Sequence, residues 1–388
     1  MSNNLTPDIV AVFSELPGAV TDSGLVAHYG NPVAEQRALV AGDAIVDLAD
    51  RAVLTVSGED RLTWLDSLTS QQLTGLHPGD SAETLLLDAN GRIEHAVRLV
   101  DDGTTCWLLV DASQAAGLFD WLTRMRFRLR VDVVDRTADF ATFGYLMDAG
   151  AAHALSPLVA ASNGVPVLWS DPWSELQNGG WTYSTTTEHP GAGWKYRECL
   201  IERSRTPDVV ALVREGSVPK VRAAGMLALE ALRIEAWRPR LVTEVDERTV
   251  PHELDWLRSA VHLTKGCYRG QETVAKVHNI GHPPRRIVFL HLDGSESQLP
   301  SPGDEVVSGE GEDRKVVGRI TSSARHHELG PIALAVVRRR TDPSATLTVE
   351  TGGTLVAAAQ EIIVSPDAGA EAGVPRLPRL GAVKRRPR

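Results

Sequence analysis

The chain holds only 3 cysteines in 388 residues, Cys106, Cys199 and Cys267, all far apart. A set so sparse and odd is not a disulfide framework, and it suits a reducing compartment. Cys-x-x-Cys, His-Glu-x-x-His and Gly-x-Gly-x-x-Gly are all absent. A self-contained zinc site, a zincin and a Rossmann cofactor domain therefore have no motif behind them. No window approaches the ~18 uninterrupted apolar residues of a membrane span, and the opening Met1-Ser2-Asn3-Asn4-Leu5 lacks the basic and apolar runs of a leader. The expected location is the cytoplasm. Positive charge is also short: the formal net charge is -10, so the surface as a whole repels phosphate backbones, and nucleic acid is not the expected partner.

What is present is an ordinary globular composition, 43% hydrophobic and 23% charged, long enough for two or three domains. Ala52 to Ser57 is β-branched and reads as a strand. The acidic Gly58-Glu59-Asp60 then opens a helix that carries Leu62, Leu65 and Leu68 and should end before His77-Pro78-Gly79. Glu83 to Leu87 and Ile93 to Leu99 read as strands joined by Asp88-Ala89-Asn90-Gly91-Arg92, where Asn-Gly marks a hairpin. A strand over Thr105 to Val110 and a helix over Ser113 to Met125 follow. Hairpins this short exclude parallel crossovers, so the body is expected to be antiparallel α+β rather than doubly wound. Residues 148–195 read only as mixed strand and loop. From Val218 to Trp237 the pattern is helical, with Leu227, Ala231 and Ile234 on one face. Beyond Pro283-Pro284 short β segments predict a small barrel or sandwich over 286–364, and 365–388 reads as a disordered basic tail.

Chemistry concentrates in Lys265-Gly266-Cys267-Tyr268-Arg269-Gly270-Gln271-Glu272, where one cysteine sits between two glycines and two cations ahead of a predicted helix. Lys265, Arg269 and the helix amides would favour a thiolate, and Gly266 and Gly270 allow tight backbone turns. The alternative is a small buried cysteine in a structural turn. Glu235 lies in the last turn of its helix, where a carboxylate meets the negative end of the macrodipole. It either holds a ligand or pairs with Arg233 or Arg238 on a solvated surface. Cys106 and Cys199 read as apolar fillers. His95 and His326-His327 have no partner at ligand spacing, so no metal site is expected.

The run Lys265 to Glu272 resembles the K-G-C-[YF]-x-G-Q-E signature of the YgfZ family, and Thr273-Val274-Ala275-Lys276 continues in the same way. Ile45-Val46-Asp47-Leu48, Val56-Ser57-Gly58-Glu59-Asp60, Leu232-Arg233-Ile234-Glu235-Ala236 and Val317-Gly318-Arg319-Ile320-Thr321-Ser322 are similar to segments of the wider aminomethyltransferase (GcvT) superfamily. The resemblance spans about residues 30 to 350. It implies three domains around a central folate cavity: an aminomethyltransferase-like body of two intertwined α+β subdomains over 1–285, and the C-terminal β-barrel over 286–364.

The resemblance further implies tetrahydrofolate or a derivative as cofactor, with the Glu235 carboxylate accepting paired hydrogen bonds from the aminopyrimidine edge, and Arg233 and Trp237 beside it. Trp237 stands where relatives usually carry glycine. The aspartate pair of the aminomethyl-transferring T-proteins is absent, the hairpin reading Gly91-Arg92-Ile93-Glu94-His95-Ala96, and Glu94 would substitute only after a shift of register. The implied role is an accessory factor for [4Fe-4S] clusters. Cys267 is its working thiol and at most a transient cluster ligand, with Lys265 and Arg269 assisting. By the same resemblance the partners are radical-SAM clients, such as a tRNA methylthiotransferase, and A-type carriers. The rival functions are a folate-dependent aminomethyl or one-carbon transferase and a folate sensor with a structural cysteine.

Overall fold

The computed structural model describes residues 11–214, 221–295, 298–309 and 311–373. Two five-stranded sheets and a closed barrel make up the framework. The first sheet runs Ser81–Leu87, Ile93–Asp101, Thr105–Asp111, Arg51–Ser57, Asp132–Asp135, every neighbouring pair antiparallel. Helices Arg61–Leu68 and Ala112–Met125 bury Trp64, Leu65, Leu118 and Leu122 against one face of this sheet, which supplies Leu54, Leu86, Leu99 and Leu108. The expected hairpin and both flanking strands are present. The helix that begins at Arg61, however, stops at Leu68 rather than before His77, because Thr69 turns extended and Ser70 donates its amide to the carbonyl of Leu85.

The second sheet runs Leu168–Ser170, Tyr196–Glu202, Phe140–Leu146, Ala44–Asp47, Arg222–Ala224. Its last pair is parallel, which corrects the wholly antiparallel expectation; the long excursion between Asp47 and Arg222 provides the crossover that a parallel pair needs. That strand also takes residues 222–224 out of the helix expected from Val218. The helix spans Met226–Glu235, and Val218 lies outside the described residues.

The barrel closes in the order Arg285–Leu292, Gly330–Arg338, Lys315–His326, Glu305–Ser308, Leu347–Thr351, Thr354–Ile362. Its interior holds Val288, Leu290, Ile320, Ala333, Val349 and Val356. Where the sheets and barrel meet, one large core gathers Trp169, Trp173, Trp237, Trp256, Phe289, Ile332 and Leu334.

The expected tail starts too early at Ser365. Ala368 is buried, and the amides of Glu371 and Ala372 donate to the carbonyls of His278 and Asn279 at 2.9 and 3.1 Å, satisfying the orphan carbonyls at the end of helix Gln271–Ile280. Arg339 Nη1 also holds the carbonyl of Pro366 at 2.8 Å. Residues 374–388 lie outside the described residues. A chain ending at Val364 should therefore melt several degrees below the full-length protein in calorimetry, whereas one ending at Gly373, which keeps every one of these contacts, should match it.

Candidate functional site

The cysteine motif sits on a turn docked against the Asp88–Gly91 hairpin tip. Gly270 takes φ +84°, and a Cβ there would lie 2.5 Å from the carbonyl oxygen of Asp88 and 2.9 Å from Cα of Gly91. Gly91, at φ +77°, meets Thr273 in the same way, a Cβ coming to 2.9 Å. Both positions need glycine for conformation and for space. Tyr268 is buried, its phenol pushed upward by loss of solvent, and its ring lies 5.5 Å from the Lys265 ammonium. Gln271 Nε2 donates back to the carbonyls of Lys265 and Gly266 at 3.3 and 3.4 Å, closing the turn on itself. Glu272 is exposed in the first turn of the helix, where the macrodipole favours a carboxylate.

Lys265 and Arg269, expected to assist the cysteine, are placed elsewhere. The Lys265 side chain is 1% exposed, and its ammonium donates to the carbonyls of Asp66, Thr69 and Gln71 at 2.5, 2.9 and 2.7 Å. Those three bonds use all three donors of the ammonium and cap the C-terminus of helix Arg61–Leu68. Burial lowers its pKa, with the Asp66 carboxylate opposing that shift. Arg269 reaches Glu94 at 2.6 Å in a half-exposed pair, a contact worth ~1 kcal/mol at most. Glu94 itself is the extra residue of a β-bulge: His95 faces Leu86 and Ile93 faces Leu87, so Glu94 drops out of the ladder. The bulge is a local irregularity of the ladder that leaves the Glu94 carboxylate unpaired within the sheet and free to meet Arg269.

Cys267 is exposed, while Cys106 and Cys199 are both 0% exposed. Burial raises the thiol of Cys199 to about 12. Burial also raises that of Cys106, with the Asp101 carboxylate adding to it, and Cys106 donates to Asp101 at 2.9 Å. Cys199 is packed as the apolar-filler reading expects, Cys106 lies in a core but with its thiol on a carboxylate, and the exposure of Cys267 does not fit the buried-turn alternative.

The three residues expected at a pterin diverge. Arg233 donates to Glu230 (2.9 and 2.8 Å), to the carbonyl of Arg238 (2.6 Å), to Glu244 (3.1 Å) and to Ser322 of the barrel (2.7 Å), which occupies the guanidinium completely. Trp237 is 2% exposed at φ +56°, wedged edge-on against His189 and tilted against Phe289. Glycine would adopt that φ freely; here the packing of the indole holds it. Glu235 alone stays open, 42% exposed, and its neighbour is neither Arg233 nor Arg238 but His326, 3.2 Å away. Among the described residues no group of three or more His, Cys, Asp or Glu is arranged to hold a metal ion, and no helix is long and apolar enough to cross a membrane.

An α+β body closed by a six-stranded barrel, with an open glutamate at the end of its central helix, defines the architectural class. The chain belongs to the glycine-cleavage T-protein family: residues 28–265 match the GCVT N-terminal domain and residues 285–362 the glycine cleavage T-protein C-terminal barrel domain. The cysteine motif, after its first residue, falls between the two matched stretches. The chain is 25% identical to the aminomethyltransferase of Pelodictyon phaeoclathratiforme over 84% of its own length and 88% of that protein's. It is 23% identical to the tRNA-modifying protein YgfZ of Pectobacterium carotovorum, covering 76% and 84%. The fold matches that of the glycine cleavage system aminomethyltransferase T of Bartonella henselae, with a TM-score of 0.67 at 18% identity over 91% of this chain and 95% of that one. The family is a folate-binding one, and tetrahydrofolate or a derivative is the cofactor that goes with it. Of the side chains expected to hold it, Glu235 fits, as an accessible carboxylate; the donors of Arg233 are spent on the protein itself.

Iodoacetamide should label Cys267 alone in the native protein, with Cys106 and Cys199 reacting only after denaturation, as read by peptide mass spectrometry. Gly270→Ala should cost roughly 1–3 kcal/mol in urea unfolding from left-handed strain and from the clash with the hairpin.

Proposed function

We propose that this chain is a YgfZ-type member of its family, a folate-binding accessory protein that supports assembly, maintenance or repair of [4Fe-4S] clusters on client enzymes through Cys267. The observation that carries the reading is an exposed cysteine held on a turn that four neighbouring residues, Lys265, Tyr268, Gly270 and Gln271, fix in place. Rigid support of a solvent-facing thiol suits a group that must meet another macromolecule. Stability alone does not ask for it.

Glu235 would take the aminopyrimidine edge of tetrahydrofolate in paired hydrogen bonds. When bound, the folate supplies nitrogens able to carry a one-carbon unit. One cysteine cannot hold a [4Fe-4S] cluster, which takes four ligands, so Cys267 serves as a single thiolate ligand while client or carrier residues supply the rest. Its proton leaves to solvent as the sulfur binds iron, and returns when the cluster departs. Radical-SAM enzymes and A-type carriers are the partners this chemistry suits.

A second reading, a folate-dependent aminomethyl or one-carbon transferase, is favoured by the aminomethyltransferase relatives and by the bulged Glu94 carboxylate beside the motif. Against it, the T-protein aspartate pair is absent from Gly91-Arg92-Ile93-Glu94-His95-Ala96, and Glu94 is tied to Arg269. The third, a folate sensor whose cysteine is structural, sits poorly with the exposure of Cys267.

Calorimetry should show tetrahydrofolate binding that Glu235→Ala weakens by about 1.5 to 3 kcal/mol, while Glu94→Ala leaves it unchanged. Deleting the gene should depress [4Fe-4S] enzymes and spare enzymes without clusters; turnover of an aminomethyl donor with tetrahydrofolate by the purified protein would instead establish the transferase reading.

A further inference from the structure

We infer that His326 is a positioning residue for Glu235, supplied by the barrel to a carboxylate that the body presents. The inference rests on the folate reading of Glu235 and adds the group that aims it. Glu235 ends its helix, so its charge faces the negative end of the macrodipole, even though the amides of Ala236, Trp237 and Arg238 take the carbonyls of Leu232, Ile234 and Arg233. Left alone, that carboxylate would swing into solvent.

His326 answers both problems. Its ring Nδ1 lies 3.3 Å from the amide of Glu328 and 3.1 Å from the amide of Leu329, and both N–H groups donate to it. That nitrogen is therefore the acceptor, which places the ring proton on Nε2. Nε2 is 3.2 Å from Glu235 Oε2, and the His326 side chain is 0% exposed. The contact is close but bent, so Nε2 finds no aligned hydrogen-bond partner among the described residues. A small rotation of the carboxylate completes it. A ligand drawing on the two oxygens of Glu235 would make that rotation, because a carboxylate has lone pairs enough for paired donors and for His326 together.

The strand end carrying His326 is fixed from the other side as well. Gln36, fully buried in helix Pro32–Val40, accepts the amide of His327 at 2.8 Å and donates to the carbonyl of Arg325 at 2.9 Å. The His327 ring lies 4.4 Å from that of His326 and limits its rotation. Body and barrel thus meet at a Gln36, His327, His326, Glu235 chain, and Glu235 gains its orienting partner only where the barrel is docked. A structural histidine would need the backbone bonds at Nδ1; it would not need an N–H turned toward the one open carboxylate of the helix.

The test is tetrahydrofolate calorimetry on the full-length protein, with Glu235→Ala, His326→Leu, His326→Gln and the double variant Glu235→Ala/His326→Leu, each checked for an unchanged melting transition. His326→Leu should weaken binding roughly tenfold, in line with loss of one charge-assisted contact. His326→Gln, which keeps an N–H of similar reach, should recover most of that loss. The double variant should bind no more weakly than Glu235→Ala alone. Independent, additive losses, or wild-type affinity for His326→Leu beside a weakened Glu235→Ala, would overturn the positioning role and leave the folate reading standing. Wild-type affinity for Glu235→Ala would overturn both. Should His326→Leu fail to fold, His326→Ala takes its place in the same cycle: a loss that disappears in the Glu235→Ala background upholds the role, and an additive loss refutes it.

Discussion

Three arginines at the end of the central helix hold the molecule together. Arg233 joins Glu230 and Glu244 to Ser322 of the barrel; Arg238 joins Glu83 of the first sheet at 2.5 Å to Asp171 at 2.9 Å; Arg240 reaches Asp111 at 2.9 Å and also pairs with Asp50. Arg51 extends the chain from Asp111 at 2.6 Å to Glu198 of the second sheet at 3.2 Å. Such a buried network adds little net stability over apolar packing. Removing one member, however, strands an uncompensated charge and costs about 3–5 kcal/mol. Despite its burial Asp111 is held well below the usual carboxylate range by Arg51, Arg98 and Arg240. The network requires sheet, sheet and barrel to be docked together, and it fixes the helix whose last residue is Glu235.

This division of labour explains which motif residues are left for chemistry. Lys265 caps a helix, Tyr268 is packed, Gly270 and Gly91 allow contact with the hairpin, and Arg233 and Trp237 build walls. What stays open is the Cys267 thiol and, among the residues expected at a pterin, the Glu235 carboxylate. Cys267 and Glu235 have different surroundings, the first on the hairpin side of the body and the second at the seam with the barrel.

Much of this was legible in the residues. Asn90-Gly91 gave the hairpin, the β-branched runs gave the first-sheet strands, and the cysteine motif gave the turn. Thr354–Ile362 carries a weak strand signal of its own, because its alternating buried positions are filled by Val356 and Ala358 in an alanine-rich run. The tail residues 365–373 looked polar, yet their hold comes from backbone amides capping a distant helix, which composition does not encode. The partners of Lys265 and Arg233 are not legible for a related reason: a cation near a cysteine or a glutamate in sequence says nothing about which carbonyls or carboxylates from elsewhere accept its hydrogen bonds. The bulge at Glu94 and the partnership of Glu235 with His326 are likewise tertiary facts.

The central claim is that the sulfur of Cys267 does the work while the rest of the motif holds it in place. The most direct measurement is complementation of a deletion strain by Cys267→Ser, read as the activity of [4Fe-4S] enzymes, with folate affinity and melting temperature measured on the same purified variant. The account predicts lost cluster-enzyme activity with folding and folate binding intact; activity restored to the wild-type level by the serine variant would contradict it.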